Sequence, residues 1–259
     1  MSKYSTRTLK LSIPGTVGQL DARLDMPDSV TPKAFLIMCH CFTCTKETIT
    51  TSRIARGLAQ NGFGVLRFDF TGLGNSEGNF ADSNFSSMVE DVLHVAHFLS
   101  EEYQAPAALL GHSMGGTAVL AASTQLPSCK TVITIASPSE PAHVLHHFGK
   151  AMTQLESGQD AEIIVADVKY PVRPQFVSDV RNYDMQKQMQ SYDKPVMAIR
   201  AGKDRLVKPK DAEEIIAYTS DEHYLLDLDQ ADHLFSDRGV TEIMIVQICN
   251  WLDSRTIGN

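Results

Sequence analysis

Short apolar runs alternate with longer amphipathic segments along this chain, a pattern typical of an α/β protein with a mainly parallel sheet. Eight runs have the length and apolar content of strands: TLKLSI, QLDARLDM, KAFLIMC, GVLRFDF, AALLG, TVITIA, VMAIRA and HYLLDL. The first two alternate apolar and polar residues, as a partly exposed antiparallel pair does. The later ones are almost continuously apolar, as strands covered on both faces are. The clearest helix is predicted from Phe85 to Tyr103, where apolar residues recur at spacings of three and four.

The alternation breaks from about residue 137 to residue 193. A helix (PAHVLHHFGKAMTQLE), a hairpin-like stretch (AEIIVADVKYPVR) and a second helix (QFVSDVRNYDMQKQM) follow one another there without a buried strand. We interpret this stretch as a small cap that is inserted after the sixth strand and lies over the strand ends. The sequence therefore predicts a single domain over residues 1–259, with a core of residues 1–136 and 194–259.

Composition excludes several classes of function. A chain of 259 residues that is 43% hydrophobic can bury a large core. The net charge of −8 argues against a nucleic-acid partner, which needs a concentrated basic face. The longest apolar run, AFLIMC, is too short to cross a bilayer, and the segment MSKYSTRTLKLSIPG lacks the apolar core of a signal peptide. We expect a soluble cytoplasmic protein with neither a nucleic-acid nor a membrane partner.

Three cysteines crowd around one histidine in MCHCFTCTKE, which contains Cys39, His40, Cys41 and Cys44. Structural zinc needs a fourth ligand in tetrahedral geometry, and the sequence offers no second ligand pair. The spacing Cys41-x-x-Cys44 also matches a thiol–disulfide motif, so thiol redox chemistry stays open as an alternative. Five cysteines, an odd number without a secretion signal, favour reduced thiols. The cysteines are therefore interpreted as small apolar fillers, and neither a metal nor a cofactor is predicted.

The strongest functional signal is the segment LLGHSMGG. Gly111-x-Ser113-x-Gly115 follows an apolar strand and precedes a helix of small residues, TAVLAAS. A nucleophile elbow needs this context, because a sharp strand-to-helix turn exposes the serine hydroxyl and glycines stand where side chains would clash. The pattern predicts that Ser113 is a nucleophile.

A serine nucleophile needs a base that a third group holds in place. Behind an elbow of this kind the partners follow in the order Ser, acid, His, each on a loop after a strand. Asp204 follows the strand VMAIRA, and His233 follows the strand HYLLDL. Asp229 and Asp232 share the loop of His233 and are the fallback acids, because a close neighbour rarely turns its carboxylate back to the imidazole Nδ1.

Together these motifs resemble the α/β-hydrolase fold superfamily, in particular the serine-aminopeptidase-like hydrolases. That group includes small bacterial carboxylesterases, cinnamoyl (feruloyl) esterases and monoacylglycerol lipases. The segment VLRFDFTGLGNSEGNF is similar to the one those proteins carry after their fourth strand. The resemblance covers nearly the whole chain and is weakest in the insertion. It implies a mostly parallel eight-stranded sheet flanked by helices, a Ser–His–Asp triad, a cap and an oxyanion hole of two backbone N–H groups.

The resemblance also implies which amides form the oxyanion hole. One belongs to the residue after the nucleophile, here Met114. The other belongs to the loop after the third strand, where the family carries His-Gly followed by a variable residue. This chain has His40-Cys41-Phe42, so Phe42 is the predicted donor and Cys41 stands where glycine is usual. The amide of Cys41 is the alternative donor, because cysteine lacks the conformational freedom of glycine.

Two features of the predicted cap bear on ligands. His143 and His147 lie at i and i+4 in HVLHH, but a metal site would need a third ligand, so a cap-lining or exposed role is favoured. Apolar residues of the same segment either wall an acyl pocket or only pack the cap onto the core: Val144, Leu145, Phe148 and Met152.

The predicted function is hydrolysis of small carboxylic esters, with short- to medium-chain or aromatic acyl groups, through an acyl-enzyme on Ser113. An aminopeptidase, an amidase or a thioesterase would use the same triad. An exopeptidase also needs an acidic group for the amine of its substrate, and the insertion offers Glu140, Glu156, Asp160 and Glu162. The alternative from another class is a non-catalytic binding protein on the same scaffold. The sequence does not determine the oligomeric state and leaves a homodimer open.

Overall fold

A computed structural model describes residues 4–189, 192–219 and 222–256. The strands in these ranges are β1 (Thr6–Pro14), β2 (Gln19–Pro27), β3 (Phe35–Cys39), β4 (Gly64–Phe68), β5 (Ala108–His112), β6 (Thr131–Ile135), β7 (Ala161–Val165), β8 (Val168–Val172), β9 (Val196–Ala201) and β10 (His223–Leu228). The α-helices are α1 (Ile49–Ala59), α2 (Phe85–Glu102), α3 (Met114–Ser123), α4 (Ala151–Glu156), α5 (Pro174–Asn182), α6 (Met185–Gln188), α7 (Pro209–Ala217) and α8 (Arg238–Thr256). Short 3-10 helices span Phe80–Asp82 and Pro141–His147.

Eight of these strands form one sheet, in the order β1-β2-β4-β3-β5-β6-β9-β10. The pairs β1–β2 and β2–β4 are antiparallel, and every neighbouring pair from β4 to β10 is parallel. All eight predicted strands are members of this sheet, including the alternating first pair. The predicted fold class, a mostly parallel eight-stranded sheet of the α/β-hydrolase type, is confirmed.

Helices cover both faces of the sheet. On one face, α2 and α3 contribute residues such as Val92 and Ala118 to an apolar cluster that extends into the segment between β6 and β9. On the other face, Leu58 of α1 packs with Ile248 of α8. Strands β3 to β6 are buried along their whole length, which explains their nearly continuous apolar sequence. Each fully buried leucine of this kind contributes about 2 kcal/mol of hydrophobic stabilisation. Among the described residues, the structure has no helix long and apolar enough to cross a membrane.

Local capping fixes where α2 begins. The side chain of Asn84 accepts a hydrogen bond from the backbone N–H of Ser87, and the Ser87 hydroxyl accepts one from the backbone N–H of Asn84. This reciprocal pair satisfies two amides that have no partner within the helix. The helix ends one residue before Tyr103, the predicted limit.

The segment between β6 and β9 confirms the predicted hairpin, since β7 and β8 form a separate antiparallel pair. Both predicted helices of this segment are interrupted, however. The first becomes a 3-10 helix and then α4, because Gly149 between them adopts a left-handed φ of 46°. The second divides into α5 and α6, because Tyr183 is extended and Asp184 caps a new helix by accepting a hydrogen bond from the Lys187 amide. The division into a core and a cap at residues 136 and 194 stays a prediction.

Candidate active site

Ser113 occupies a sharp turn between β5 and α3. Its φ of 54° and ψ of −128° are unusual for a residue with a side chain, and such conformations persist only where the surroundings hold them. Two backbone hydrogen bonds hold this turn. The amide of Ser113 donates to the carbonyl of Ile135 at 2.8 Å, and the amide of Gly116 donates to the carbonyl of Ser113 at 2.8 Å.

The glycines around Ser113 are required by close contacts between backbones. A Cβ at Gly111 would lie 2.2 Å from the carbonyl oxygen of Gly115. A Cβ at Gly115 would lie 2.3 Å from the carbonyl oxygen of His40, in the loop that follows β3. These glycines therefore let α3 begin directly against that loop, as a nucleophile elbow requires.

The structure brings Asp204 and His233 together at the ends of neighbouring strands β9 and β10. Nδ1 of His233 donates to Oδ2 of Asp204 at 2.7 Å, which leaves the Nε2 atom of the neutral ring free to accept a proton. Oδ1 of Asp204 accepts hydrogen bonds from the amides of Leu206 and Val207 at 2.7 and 3.0 Å. Burial alone would raise the pKa of Asp204, but the hydrogen bond and charge of His233, together with these amides, hold that pKa below its ordinary value.

The side chain of Asp232, one of the two fallback acids, binds a different residue. Its carboxylate accepts a hydrogen bond from the backbone amide of Ser236 at 2.8 Å and another from the Ser236 hydroxyl. The contact with the imidazole Nδ1 of His233 belongs to Asp204, as the sequence predicts.

Ser113 and His233 line one cleft at the carboxyl ends of the parallel strands. Met114 and Phe42, the two predicted oxyanion donors, line it as well. The remaining lining residues come from the inserted segment and the loop of the acid: Pro138, His143, Val144, His146, His147, Leu206 and Val207. The structure thus brings all five predicted site residues to one place, and their catalytic roles remain predictions.

The loop after β3 accommodates a residue other than glycine at position 41. The φ of Cys41 is not positive, so this residue does not need the left-handed conformation that favours glycine. Thr43, two residues later, does adopt that conformation, with a φ of 59°. Phe42 lines the cleft, and the choice of its amide over that of Cys41 as the second oxyanion donor stays a prediction. Met114 is the first residue of α3, and an amide there has no partner within the helix.

Comparison with known proteins agrees with this fold. The model of the serine aminopeptidase S33 family matches residues 30–158. The esterase domain of a Rhodothermus marinus protein is 31% identical to this chain, with a TM-score of 0.79, over 96% of this chain and 99% of that one. The chain belongs to the α/β-hydrolase family. It is therefore a hydrolase whose solved relatives include an esterase domain.

Two further relatives of this α/β-hydrolase are more distant. Est1E from Butyrivibrio proteoclasticus, solved with ferulic acid bound, has a TM-score of 0.78 at 18% identity, over 95% of this chain and 98% of that one, and shares the fold. The mouse (Mus musculus) mitochondrial palmitoyl-protein thioesterase ABHD10 is 31% identical over 96 residues. That alignment covers 37% of this chain and 31% of the mouse protein, so it spans about a third of the relative's length.

One expectation about the cysteines of this α/β-hydrolase is wrong. Cys41 and Cys44 form a disulfide, whereas the sequence favoured reduced thiols that act as apolar fillers. The cause is a turn in which the amide of Cys44 donates to the carbonyl of Cys41 at 3.1 Å and brings their Cα atoms within 5.3 Å. Cys39, Cys129 and Cys249 lie outside this disulfide and are buried, as apolar fillers are.

Sequence reasoning missed a histidine beside the nucleophile. The ring of His112 is buried, and its Nε2 donates to the backbone carbonyl of His233 at 2.7 Å. Burial, together with the nearby charge of His233, lowers the pKa of His112 to about 3, so this ring is neutral. Its position next to Ser113 in GHSMGG is the only sequence signal, and that position does not reveal the contact.

A buried ion pair fixes the far end of the loop after β3. The ammonium group of Lys46 is fully buried and lies 2.6 Å from Oδ2 of Asp69 and 2.5 Å from Oδ2 of Asp21. The backbone amide of Lys46 also donates to Oδ1 of Asp69 at 2.7 Å. Breaking this ion pair would leave a buried charge without compensation, which costs stability. The ion pair therefore resists movement of this end of the loop.

Hydrogen bonds join the inserted segment to two loops of the site. Nε2 of His143 donates to the carbonyl of Leu206 at 2.9 Å, next to the acid Asp204, and the Tyr170 hydroxyl donates to the carbonyl of Thr43 at 3.0 Å. Of the four apolar residues proposed for an acyl pocket, Val144 lines the cleft. The described residues contain no cluster of three or more His, Cys, Asp and Glu side chains arranged to hold a metal ion.

Proposed function

We propose that this α/β-hydrolase is a serine carboxylesterase that cleaves small carboxylic esters through an acyl-enzyme on Ser113. The observation that carries the proposal is the shared cleft of Ser113 and His233, in which His233 is oriented by its 2.7 Å hydrogen bond to Asp204. The 31% identity to an esterase domain over nearly the whole chain also supports it.

In the proposed reaction, Ser113 Oγ attacks the ester carbonyl while Nε2 of His233 takes the hydroxyl proton. Asp204 stabilises the imidazolium that forms and keeps Nδ1 as the protonated nitrogen. The amides of Phe42 and Met114 stabilise the tetrahedral oxyanion, and the loss of one such donor slows acyl transfer by about 100- to 1,000-fold. His233 then protonates the leaving alcohol and activates water to release the acid. Protein groups and water supply every step.

The positions of the acidic residues in the insertion favour ester substrates over peptides. An aminopeptidase needs a carboxylate that meets the substrate amine, and the lining of the cleft includes none of the four candidates. Each is already engaged by another side chain, as the pairs Glu140–Tyr218, Glu156–Arg181, Asp160–Arg173 and Glu162–Lys169 show.

A thioester is the second candidate substrate. The relative from mouse is called a palmitoyl-protein thioesterase and is 31% identical over 96 residues. The attack of Ser113 on a thioester would follow the same steps with a thiol as the leaving group, which needs less protonation by His233.

We also propose the cytoplasm as the location of the protein.

The apolar part of the cleft bears on the acyl group. Val144, Leu206 and Val207 line it beside Ser113, and the ring of Phe42 borders both this cleft and a second cavity with Phe80 and other aromatic residues. Apolar walls favour the burial of alkyl or aromatic acyl groups. This supports an apolar acyl group, either alkyl or aromatic.

The proposal is tested by hydrolysis of p-nitrophenyl esters from acetate to laurate, with matched acyl thioesters alongside. The wild type should turn over the esters, and Ser113→Ala should lose activity by a factor of at least about 1,000. Ser178→Ala is the matched control, because Ser178 is an exposed serine on α5. A fluorophosphonate should label the wild type and Ser178→Ala but not Ser113→Ala. Hydrolysis or labelling that survives in a folded Ser113→Ala protein would contradict the proposal.

A further inference from the structure

The disulfide between Cys41 and Cys44 has no role in the proposed reaction, yet it lies in the loop that the reaction depends on. It closes a ring that contains Phe42 and Thr43, in the connection between β3 and α1. The ring of Phe42 faces the cleft of Ser113, and the Phe42 amide is the proposed second oxyanion donor. The proposed donor is therefore one of the two residues within the ring that the disulfide closes.

The loop is anchored on both sides of this ring. Before it, Nδ1 of the buried His40 donates to the carbonyl of Cys41 at 2.8 Å. After it, Lys46 is held by Asp69 through its backbone amide and its ammonium group. Any freedom of the loop is thus confined to the residues between these anchors, which include Phe42.

Thr43 is the residue that needs a restraint. Its φ of 59° lies in the left-handed region, which a β-branched residue adopts only when its surroundings impose it. The disulfide across the turn imposes it here, together with two hydrogen bonds: from the Tyr170 hydroxyl to the Thr43 carbonyl at 3.0 Å and from the Cys44 amide to the Cys41 carbonyl at 3.1 Å. When the disulfide opens, only weaker hydrogen bonds hold the turn, and Thr43 returns more readily to a common conformation together with the adjoining Phe42 amide.

The two cysteine residues differ in their exposure to solvent. Cys44 is partly exposed, whereas Cys41 is 7% exposed and borders the protein interior. The nearest free thiol in sequence, Cys39, is fully buried, and burial with the nearby charge of Asp91 raises its pKa well above the ordinary value. Thiolates are the attacking species in disulfide exchange, so Cys39 is a poor internal partner and an external thiol must reach Cys44.

We propose that the Cys41–Cys44 disulfide is a reversible redox site that controls ester hydrolysis by fixing the oxyanion donor, and that its reaction partner is a dithiol. A thiolate of the dithiol attacks Sγ of Cys44, and Cys41 leaves as a thiolate that takes up a proton. The second thiol of the partner then displaces Cys44, which also becomes a thiol. Two electrons and two protons pass to the protein, and the partner leaves as a disulfide. The inference rests on the proposed function.

The test uses the full chain equilibrated with reduced and oxidised dithiothreitol in a series of ratios. Samples are desalted under acid quench for maleimide labelling and mass analysis, and in parallel at neutral pH for rapid assay with p-nitrophenyl butyrate. We expect kcat to fall by about 10- to 100-fold as Cys41 and Cys44 become labelled, with a smaller change in KM. The loss should reverse on oxidation. Deuterium uptake by a peptide covering residues 41–45 should rise in the reduced protein.

Three variants make the result interpretable. Cys129→Ala removes a buried free thiol remote from the loop and should follow the wild type. Cys41→Ser/Cys44→Ser should have the low activity of the reduced protein at every ratio, with an unchanged circular dichroism spectrum. Tyr170→Phe removes the hydrogen bond to the Thr43 carbonyl and should deepen the loss on reduction. If the double variant does not fold, Cys44→Ser alone serves in its place.

Two results would overturn the inference: labelling of both cysteines without a change in kcat, or full labelling at the most oxidising ratio. Failure of the proposed function is separate, since it would show as serine-independent hydrolysis in Ser113→Ala. In that case deuterium uptake by residues 41–45 would still report whether the disulfide restrains the loop.

Discussion

The imidazole of His112 donates a hydrogen bond to the backbone carbonyl of His233 across 2.7 Å, so the residue before the predicted nucleophile holds the loop of the predicted base. The two rings lie 5.0 Å apart between centroids. Because Ser113 is held by its own turn, we expect this bond to help place the imidazole of His233 relative to the Ser113 hydroxyl.

Substituting His112 should change kcat more than KM. In His112→Phe the carbonyl of His233 loses its donor, and we expect kcat to fall by about 10-fold because the base is less well placed. His112→Gln keeps a donor on a side chain of similar reach and should restore most of the activity. Steady-state kinetics on one ester checks both variants. Equal losses in the two variants would show that packing, rather than the hydrogen bond, explains the effect.

The neutral state of His112 should make stability depend on pH. Burial holds its folded pKa at about 3, below the unfolded value, so the unfolded chain binds a proton that the folded chain does not. The free energy of unfolding therefore falls as the pH decreases from about 6.5 towards 3. Relative to His112→Gln, the wild type should lose about 2 to 3 kcal/mol between pH 7 and pH 4.5. Urea unfolding at the two pH values measures this difference.

The matched control for that experiment is His97→Gln, because His97 is an exposed histidine on α2. Its difference from the wild type should be the same at pH 7 and pH 4.5. A His112→Gln protein that loses stability in parallel with the wild type would contradict the assignment of the pH dependence to His112.

Asp204→Asn should reduce kcat by about 1,000- to 10,000-fold with little change in fold. The amide of asparagine can donate to Nδ1 of His233, which places the ring proton on Nε2 and prevents that atom from accepting the proton of Ser113. Asp232→Asn is the matched control, because the Asp232 carboxylate is bound to Ser236. A loss of more than about 10-fold in Asp232→Asn, or a fully active Asp204→Asn, would show that the acid has been misassigned.

The main elements of the fold and site were accessible from sequence because they follow from local rules. Continuous apolar runs identify buried strands, and the order Ser113, Asp204, His233 on loops after strands predicts their meeting at one sheet edge. The interruption of the inserted helices was not accessible. It depends on Gly149 in a left-handed conformation and on a cap at Asp184, which are weak signals inside a helical pattern.

Contacts between distant parts of the chain account for what sequence reasoning missed. The bond from His112 to the His233 carbonyl and that from Tyr170 to the Thr43 carbonyl join residues more than 100 positions apart, and a backbone acceptor leaves no trace in the sequence. Composition favours reduced thiols at Cys41 and Cys44, so it does not predict their disulfide. A turn closed by the hydrogen bond from the Cys44 amide to the Cys41 carbonyl brings the two together, and a backbone bond of this kind is not visible in the sequence.

Asp91→Asn should stabilise the protein at alkaline pH. The Asp91 carboxylate is buried on α2 and accepts hydrogen bonds from the amide and hydroxyl of Thr71 at 2.8 and 3.0 Å. Burial raises its pKa to about 6, so the stability associated with the protonated acid is present at low pH and is lost as the pH rises through about 6. Asparagine carries no charge and can keep both contacts, since its Oδ1 can accept from the Thr71 amide while its Nδ2 donates to the Thr71 hydroxyl. We therefore expect Asp91→Asn to gain about 1 to 3 kcal/mol in the free energy of unfolding at pH 8, and about half of that at pH 5. Urea unfolding at these two pH values tests this, with Glu101→Gln, an exposed residue of the same helix, as control. An Asp91→Asn protein less stable than the wild type at pH 8 would refute it.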